Sequence, residues 1–304
     1  MGRTTIIISL LFLLSHAASA QVSYAYVERD STLYLDVYQP ATSPNGYTVL
    51  HMFGGGYYTG SRRHPWDSTY CRQLTDCGYT VVAIDYRLGM KNLKTAGFAG
   101  LEALENAMFM AAEDCAAAIT YLDKHHQNLS IDMSIIILEG SSAGAITALL
   151  IDYGRCNDLP YAAELPKDWK PAAVVAYSGA IYTRQGKLTW AQQPAPTLLF
   201  HGTVDGIVPY KSIVFGKRGM YGADALVKHL DKNGYPYAVY RFTDLGHEVC
   251  FAGPKTVDEL NLFVKHYVVQ QRYLWQDITL RDKDFQPTEN SRKTAKQLYK
   301  ENQY

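Results

Sequence analysis

Apolar residues fall along this chain in two arrangements. Tyr47–Met52, Thr80–Ile84, Ser134–Leu138 and Tyr237–Phe242 are short, almost unbroken apolar runs. Runs of that length predict strands buried on both faces, as in a parallel sheet covered by helices. A fifth strand opens the segment Pro196–Pro209 and ends in a loop that carries an acid. The longer stretches between strands predict helices over about 66–77, 102–126, 143–153, 222–233 and 256–271. Val22–Tyr38 reads as a hairpin turning at Arg29-Asp30-Ser31, an antiparallel start ahead of the parallel strands. No repeat or linker interrupts the series, and about 250 residues suffice for one α/β domain. The expected domain spans residues 21–273. After about Leu274 the pattern turns polar, and residues 274–304 form an extension that is either docked on the surface or disordered.

The first twenty residues do not belong to that pattern. Met1-Gly2-Arg3 gives a positive start, Ile6–Leu14 a short apolar run and Ala18-Ser19-Ala20 an Ala-x-Ala cleavage signal. Together they predict a secretory signal peptide cut after Ala20, and a secreted or periplasmic protein. The run is shorter than the roughly 20 residues that a membrane span needs, so no membrane anchor is expected. Loss of residues 1–20 removes Arg3 and no acid, which leaves a net charge near −1. That balance offers nothing to nucleic acid or to an anionic surface. Asn128-Leu129-Ser130 is a glycosylation match if the source is eukaryotic.

Secretion raises the question of disulfides for Cys71, Cys77, Cys115, Cys156 and Cys250. Cys71 and Cys77 fall on one expected helix with Cα atoms about 9 Å apart. A bridge reaches about 7 Å at most, so they do not pair with each other. Cys115 sits in an alanine-rich helix as a small core residue. Adjacent His125 and His126 cannot face one ion from a helix, and no metal or other cofactor is expected.

The chemistry concentrates where a buried strand meets a helix. Gly140-Ser141-Ser142-Ala143-Gly144 follows Ser134–Leu138 and precedes an apolar helix start. Gly-x-Ser-x-Gly in that context is a nucleophile elbow, which leaves Ser142 exposed at a strand end. The glycines allow a turn in which side chains would clash. A serine hydroxyl needs a base and an orienting acid, in the order Ser, Asp or Glu, His along this kind of chain. Asp205 follows one later strand and His247 another. Asp244 is the rival acid, but it lies so near His247 in sequence that it reads as a turn residue. His201 reads as a strand-end histidine bonded to its own loop.

The combination of Gly140–Gly144, His201-Gly202-Thr203-Val204-Asp205 and Gly246-His247 resembles the α/β-hydrolase superfamily. Within it, the pattern is similar to the carboxylesterase and acetyl-esterase-like branch related to hormone-sensitive lipase. Asp85-Tyr86-Arg87-Leu88 resembles that branch's Asp-Tyr-Arg-Leu signature, and Phe53-Gly54-Gly55-Gly56-Tyr57 its His-Gly-Gly-Gly oxyanion loop. The resemblance covers about Tyr34 to Tyr267. It implies an α/β-hydrolase fold, with a mostly parallel central sheet, antiparallel N-terminal strands and helices on both faces. It also assigns the amides of Gly55 and Gly56 to an oxyanion hole, and the elbow rule adds the amide of Ala143. Phe53 departs from the family, which usually has histidine there. Because glycine amides hold the oxyanion, the departure touches the subfamily more than the catalysis. The family also sets a Tyr-Arg-Leu loop beside the helix of Asp114, so Arg87 is expected to pair with Asp114.

These roles imply a serine carboxylester hydrolase acting on small acyl esters, with carbohydrate-linked esters among the candidates. Tyr57 and Trp66, with Tyr58, form either an aromatic wall for substrate or ordinary packing. Asn157–Lys170 is the best candidate for a cap. A serine peptidase on the same fold and a binding module without turnover are the alternatives. An intact Ser, Asp, His set argues against the second, since a binding module needs none of it.

Overall fold

The computed structural model describes residues 21–41, 43–91, 97–281, 283–289, 291–294 and 297. The expected signal peptide lies outside the described residues. In chain order the elements are β1 (Gln21–Glu28), β2 (Thr32–Tyr38), β3 (Thr48–Met52), α1 (Pro65–Asp76), β4 (Thr80–Ile84) and α2 (Gly97–Leu129). Then come β5 (Ile136–Ser141), α3 (Ala143–Cys156), β6 (Ala173–Tyr177), β7 (Ala180–Thr183) and β8 (Thr197–Gly202). The chain continues with β9 (Ser212–Phe215), β10 (Arg218–Gly222), α4 (Ala223–Lys232), β11 (Tyr237–Phe242), α5 (Val257–Phe263) and β12 (Trp275–Leu280).

Nine strands form one sheet in the order β1-β2-β4-β3-β5-β6-β8-β11-β12. β1, β2 and β4 pair antiparallel, and every later pair is parallel. Period-two alternation sends side chains to two cores. Leu50, Met52, Leu138 and Val174 pack with α2, α3 and α4 on one face. Val49, Val81, Ile137 and Phe200 pack with α1 and α5 on the other. This is the α/β-hydrolase architecture, with helices on both faces of a mostly parallel sheet. Among the described residues, no helix is long and apolar enough to cross a membrane.

Three expectations need correction. The domain does not end at residue 273, because β12 is the last strand of the main sheet and runs parallel to β11. As an edge strand it alternates exposed and half-buried positions. Backbone pairing holds it there, and composition does not reveal backbone pairing. A second sheet, β7-β10-β9, arises from strands of four or five residues, too short to stand out in the sequence. Finally, Asn157–Lys170 is no cap. It packs at the far end of α3, about 20 Å along the helix from Ser142, with the Tyr161 ring stacked 5.0 Å from Phe109.

Arg87 does reach Asp114. Its Nε lies 2.9 and 3.0 Å from the two carboxylate oxygens, and its backbone N–H donates to the same group at 2.8 Å. Asp114 is fully buried and also faces Arg29 at 3.4 Å. All five cysteines are free thiols, with Cys77 exposed and the others buried.

Candidate active site

Ser142 stands between β5 and α3 with φ 52° and ψ −115°. Few non-glycine residues adopt that left-handed backbone, and surrounding contacts must hold it there. The flanking glycines explain how. A Cβ on Gly144 would come within 2.0 Å of the Met52 carbonyl oxygen, and one on Gly140 within 2.4 Å of Gly144 C. Backbone thus packs on backbone around the elbow, and the Ser142 N–H donates to the Tyr177 carbonyl at 2.8 Å.

The structure brings the three polar residues together. Ser142 Oγ lies 2.7 Å from His247 Nε2, and His247 Nδ1 lies 2.9 Å from Asp205 Oδ2. Asp205 follows β8 and His247 follows β11, neighbouring strands of the sheet. The Asp205 Oδ1 accepts the N–H groups of Ile207 and Val208 at 2.9 and 3.0 Å, which fixes the carboxylate plane. Burial alone would raise the Asp205 carboxyl. The charge of His247 and the hydrogen bonds from His201 and His247 outweigh it, and hold the carboxyl well below the usual range.

Asp244 faces away from His247. It sits at φ 64°, and its carboxylate binds Arg281 at 2.8 Å and Arg292 at 3.3 Å. His201 Nε2 lies 3.2 Å from the Val208 carbonyl, within its own loop, and 3.4 Å from Asp205 Oδ2.

The glycine loop follows β3. Gly54, Gly55 and Gly56 line a cavity of about 420 Å³ together with Ser141, Ser142 and His247. Gly55 at φ 125° and Gly56 at φ 62° take backbone conformations that favour glycine. Ala143 opens α3, so its N–H is one of the helix-start donors without an intrahelical partner. Tyr86 donates its hydroxyl to the Phe53 carbonyl at 2.6 Å, and the two rings stack at 4.3 Å. Phe53 therefore props the loop through an apolar contact.

The aromatic pair divides. Trp66 lines the cavity and meets Phe251 edge-on at 5.5 Å. Tyr57 does not line it, so of its two readings packing holds and the substrate wall does not. It is 1% exposed, and its hydroxyl donates to the Ala143 carbonyl at 2.9 Å. Its φ of 62° turns the side chain inward onto α3.

Thr59, His64, Asp67, Ile207, Cys250 and Phe251 also line the cavity, and none was singled out from sequence. They come from loops and from the first turn of α1, where no motif marks them. His51, in Tyr47–Met52, likewise read as part of an apolar strand. Among the described residues, no group of three or more His, Cys, Asp or Glu is arranged to hold a metal ion.

The family model described as BD-FAE matches residues 35–185, the stretch holding the glycine loop and the elbow. The chain is 33% identical to Cholinesterase 1 of Branchiostoma lanceolatum over 119 residues, 38% of this chain and 31% of that protein. It is 31% identical to the Arylesterase of Saccharolobus solfataricus over 142 residues, 45% of this chain and 40% of that one. These matches thus span less than half the length of the curated relatives. Among solved structures, the butyrate-bound esterase 2 of Thermogutta terrifontis superposes with a TM-score of 0.60 at 19% identity. That alignment covers 86% of this chain and 97% of the other, and it carries the fold. The chain thus has the α/β-hydrolase fold, and in sequence it is similar to esterases and a lipase of the carboxylesterase branch.

Proposed function

We propose that this protein is a serine carboxylester hydrolase acting on small acyl esters. One observation carries the reading: the unbroken chain of contacts from Ser142 Oγ through His247 to Asp205, beside a loop of three glycines. In this reading His247 takes the Ser142 proton as the hydroxyl attacks the ester carbonyl. Asp205 holds the imidazole with its Nδ1–H toward the carboxylate and stabilises the cation that forms. The amides of Gly55, Gly56 and Ala143 receive the oxyanion of the tetrahedral intermediate. His247 then gives that proton to the departing alcohol, and water, deprotonated in turn by His247, releases the acid from the acyl-enzyme.

Small acyl groups suit a cavity of about 420 Å³, and a structural neighbour is described with propionate and with butyrate bound. Trp66 and Phe251 offer a ring surface on which the alcohol side of a carbohydrate-linked ester would rest. Residues 1–20 act as a signal peptide cut after Ala20, which places the mature protein outside the cytoplasm. N-terminal sequencing of the exported protein tests that placement.

A p-nitrophenyl ester series from acetate to laurate tests the activity. Short esters should turn over fastest. Ser142→Ala should abolish both hydrolysis and fluorophosphonate labelling while the fold persists. Unchanged turnover in that variant would refute the nucleophile. Cleavage of p-nitroanilides in preference to esters would favour a peptidase.

A further inference from the structure

We infer that His51 is a positioning residue for the glycine loop: one buried imidazole ties both ends of that loop to the strand bearing the nucleophile. The inference rests on the esterase reading proposed above. His51 lies in β3, in register with Glu139 of β5, on the face of the sheet that packs against α1. It is fully buried. Its Nδ1 lies 2.5 Å from Glu139 Oε2 and its Nε2 2.9 Å from Asp67 Oδ1.

The placement of the three residues gives the contact its consequence. β3 runs directly into the glycine loop, α1 begins where the loop region ends, and Glu139 stands three residues before Ser142. One ring therefore joins the chain entering the loop, the chain leaving it and the nucleophile strand. Asp67 also lines the cavity. The loop has little slack against the nucleophile, since a Cβ on Gly54 would meet Ser141 Oγ at 2.9 Å and Ser142 Cβ at 3.4 Å. Any shift of the loop moves the oxyanion donors relative to Ser142, and a displacement of about 1 Å is enough to cost about 100-fold in rate.

With both carboxylates ionised, the donor count requires a protonated ring. Ionised carboxylates only accept, and an imidazole donates from both nitrogens only when it is protonated. Burial pushes the Glu139 carboxyl up, and the His51 charge and hydrogen bond oppose it. The groups facing His51 are Glu139 from β5 and Asp67, Tyr70 and Cys71 from α1. Burial pushes the Cys71 thiol up to about 12, so it stays neutral at ordinary pH. Burial opposes charge on His51 as well. The Glu139 carboxylate and the hydrogen bonds to Asp67 and Glu139 overcome it, and hold the imidazole well above its ordinary value. Glu139 Oε1 has no hydrogen-bond partner among the described residues, so His51 is the support of that buried carboxylate.

The test compares the full chain with H51Q and H51L. H51Q keeps one amide donor and reads positioning in a folded protein, whereas H51L leaves Glu139 unsupported and Asp67 with His64 at 3.6 Å, and reads stability. On p-nitrophenyl acetate, H51Q should lose about 10–100-fold in kcat with KM within about threefold of wild type. Its rate of fluorophosphonate labelling should fall in step, because phosphonylation needs the same amides. Nitrogen-15 spectra of the wild type should show both His51 ring protons at pH 7, where an ordinary imidazole is mostly neutral. A folded H51Q with unchanged kcat, even with a lower Tm, would overturn the inference, and so would a His51 ring that is neutral at pH 7. A wild type that neither hydrolyses esters nor labels at Ser142 would overturn the esterase reading itself, and this inference with it.

Discussion

Ser142 and the glycine loop stand on β3 and β5 in the middle of the sheet, while Asp205 and His247 leave β8 and β11, nearer its C-terminal edge. On the first side the contacts are backbone on backbone, with Gly140 and Gly144 leaving no room for a methyl group. On the second side loops are braced by polar side chains and by the C-terminal segment. Ser291 donates to Glu248, the residue after His247, and Gly206, the residue after Asp205, bridges to Thr294. Gly246 packs against the Ser291 carbonyl. The serine half is thus set by backbone packed on backbone, and the acid–base half by polar contacts from the C-terminal segment.

The sharpest test of this contrast is the acid. Asp205→Asn should lower kcat by about 10⁴-fold, as a mis-set histidine tautomer does in the serine-protease template. Asp244→Asn should cost less than about threefold, since it breaks only exposed pairs with Arg281 and Arg292. The reverse ranking would move the acid to Asp244. Stability against pH gives a second reading of Asp205. Its folded carboxyl is held low, so its contribution is present above the unfolded value of about 3.9 and fades as pH falls through the folded value. Acid-unfolding curves of the Asn variant should lose that part of their slope.

On the serine side, Gly144→Ala sets a methyl group against the Met52 backbone, which has no flexible end to yield. A loss above about 4 kcal/mol is expected, together with loss of labelling at Ser142. A stable, active variant would show that the elbow is not held by steric fit.

Behind both halves, removing Arg87 or Asp114 should cost about 3–5 kcal/mol, because either change breaks a buried pair, although Arg29 still faces Asp114 and Glu113 still faces Arg87. The double variant should cost less than the two singles together. Denaturant titrations showing small, additive losses would refute the coupling. The smallest effect is expected at the brace: Ser291→Ala should cost about 1 kcal/mol and lower kcat only a few-fold. An effect as large as that of Asp205→Asn would mean that the C-terminal segment, and not the strand ends, places His247.

Much of the site was legible because its motifs are local. Glycines flanking Ser142 are required by a turn five residues long, and the strand before and the helix after it show directly in the apolar pattern. Asp205 and His247 were legible for a related reason, since each follows an apolar strand in a set order. Asp244 was set aside on its closeness to His247, and its left-handed φ of 64° fits a turn residue. Tyr57 was left open between substrate wall and packing. Nothing in Gly-Gly-Tyr-Tyr says which way a side chain points once the preceding glycines have turned the backbone.

What the sequence determined by itself is whatever depends on neighbours along the chain: the apolar runs that build the sheet, the elbow and the order of the polar residues. These follow from local sterics and from the period of each element. Tertiary structure alone decided that β12 completes the sheet and that Ser291 and Thr294 brace the acid and base loops. It also decided that His51 meets Glu139 and Asp67. An imidazole in an apolar strand looks like a core residue until the register of β3 against β5 sets a carboxylate 2.5 Å from it. Such contacts join residues up to 88 positions apart, and they form only when the fold sets the partners against each other, which no window of sequence contains.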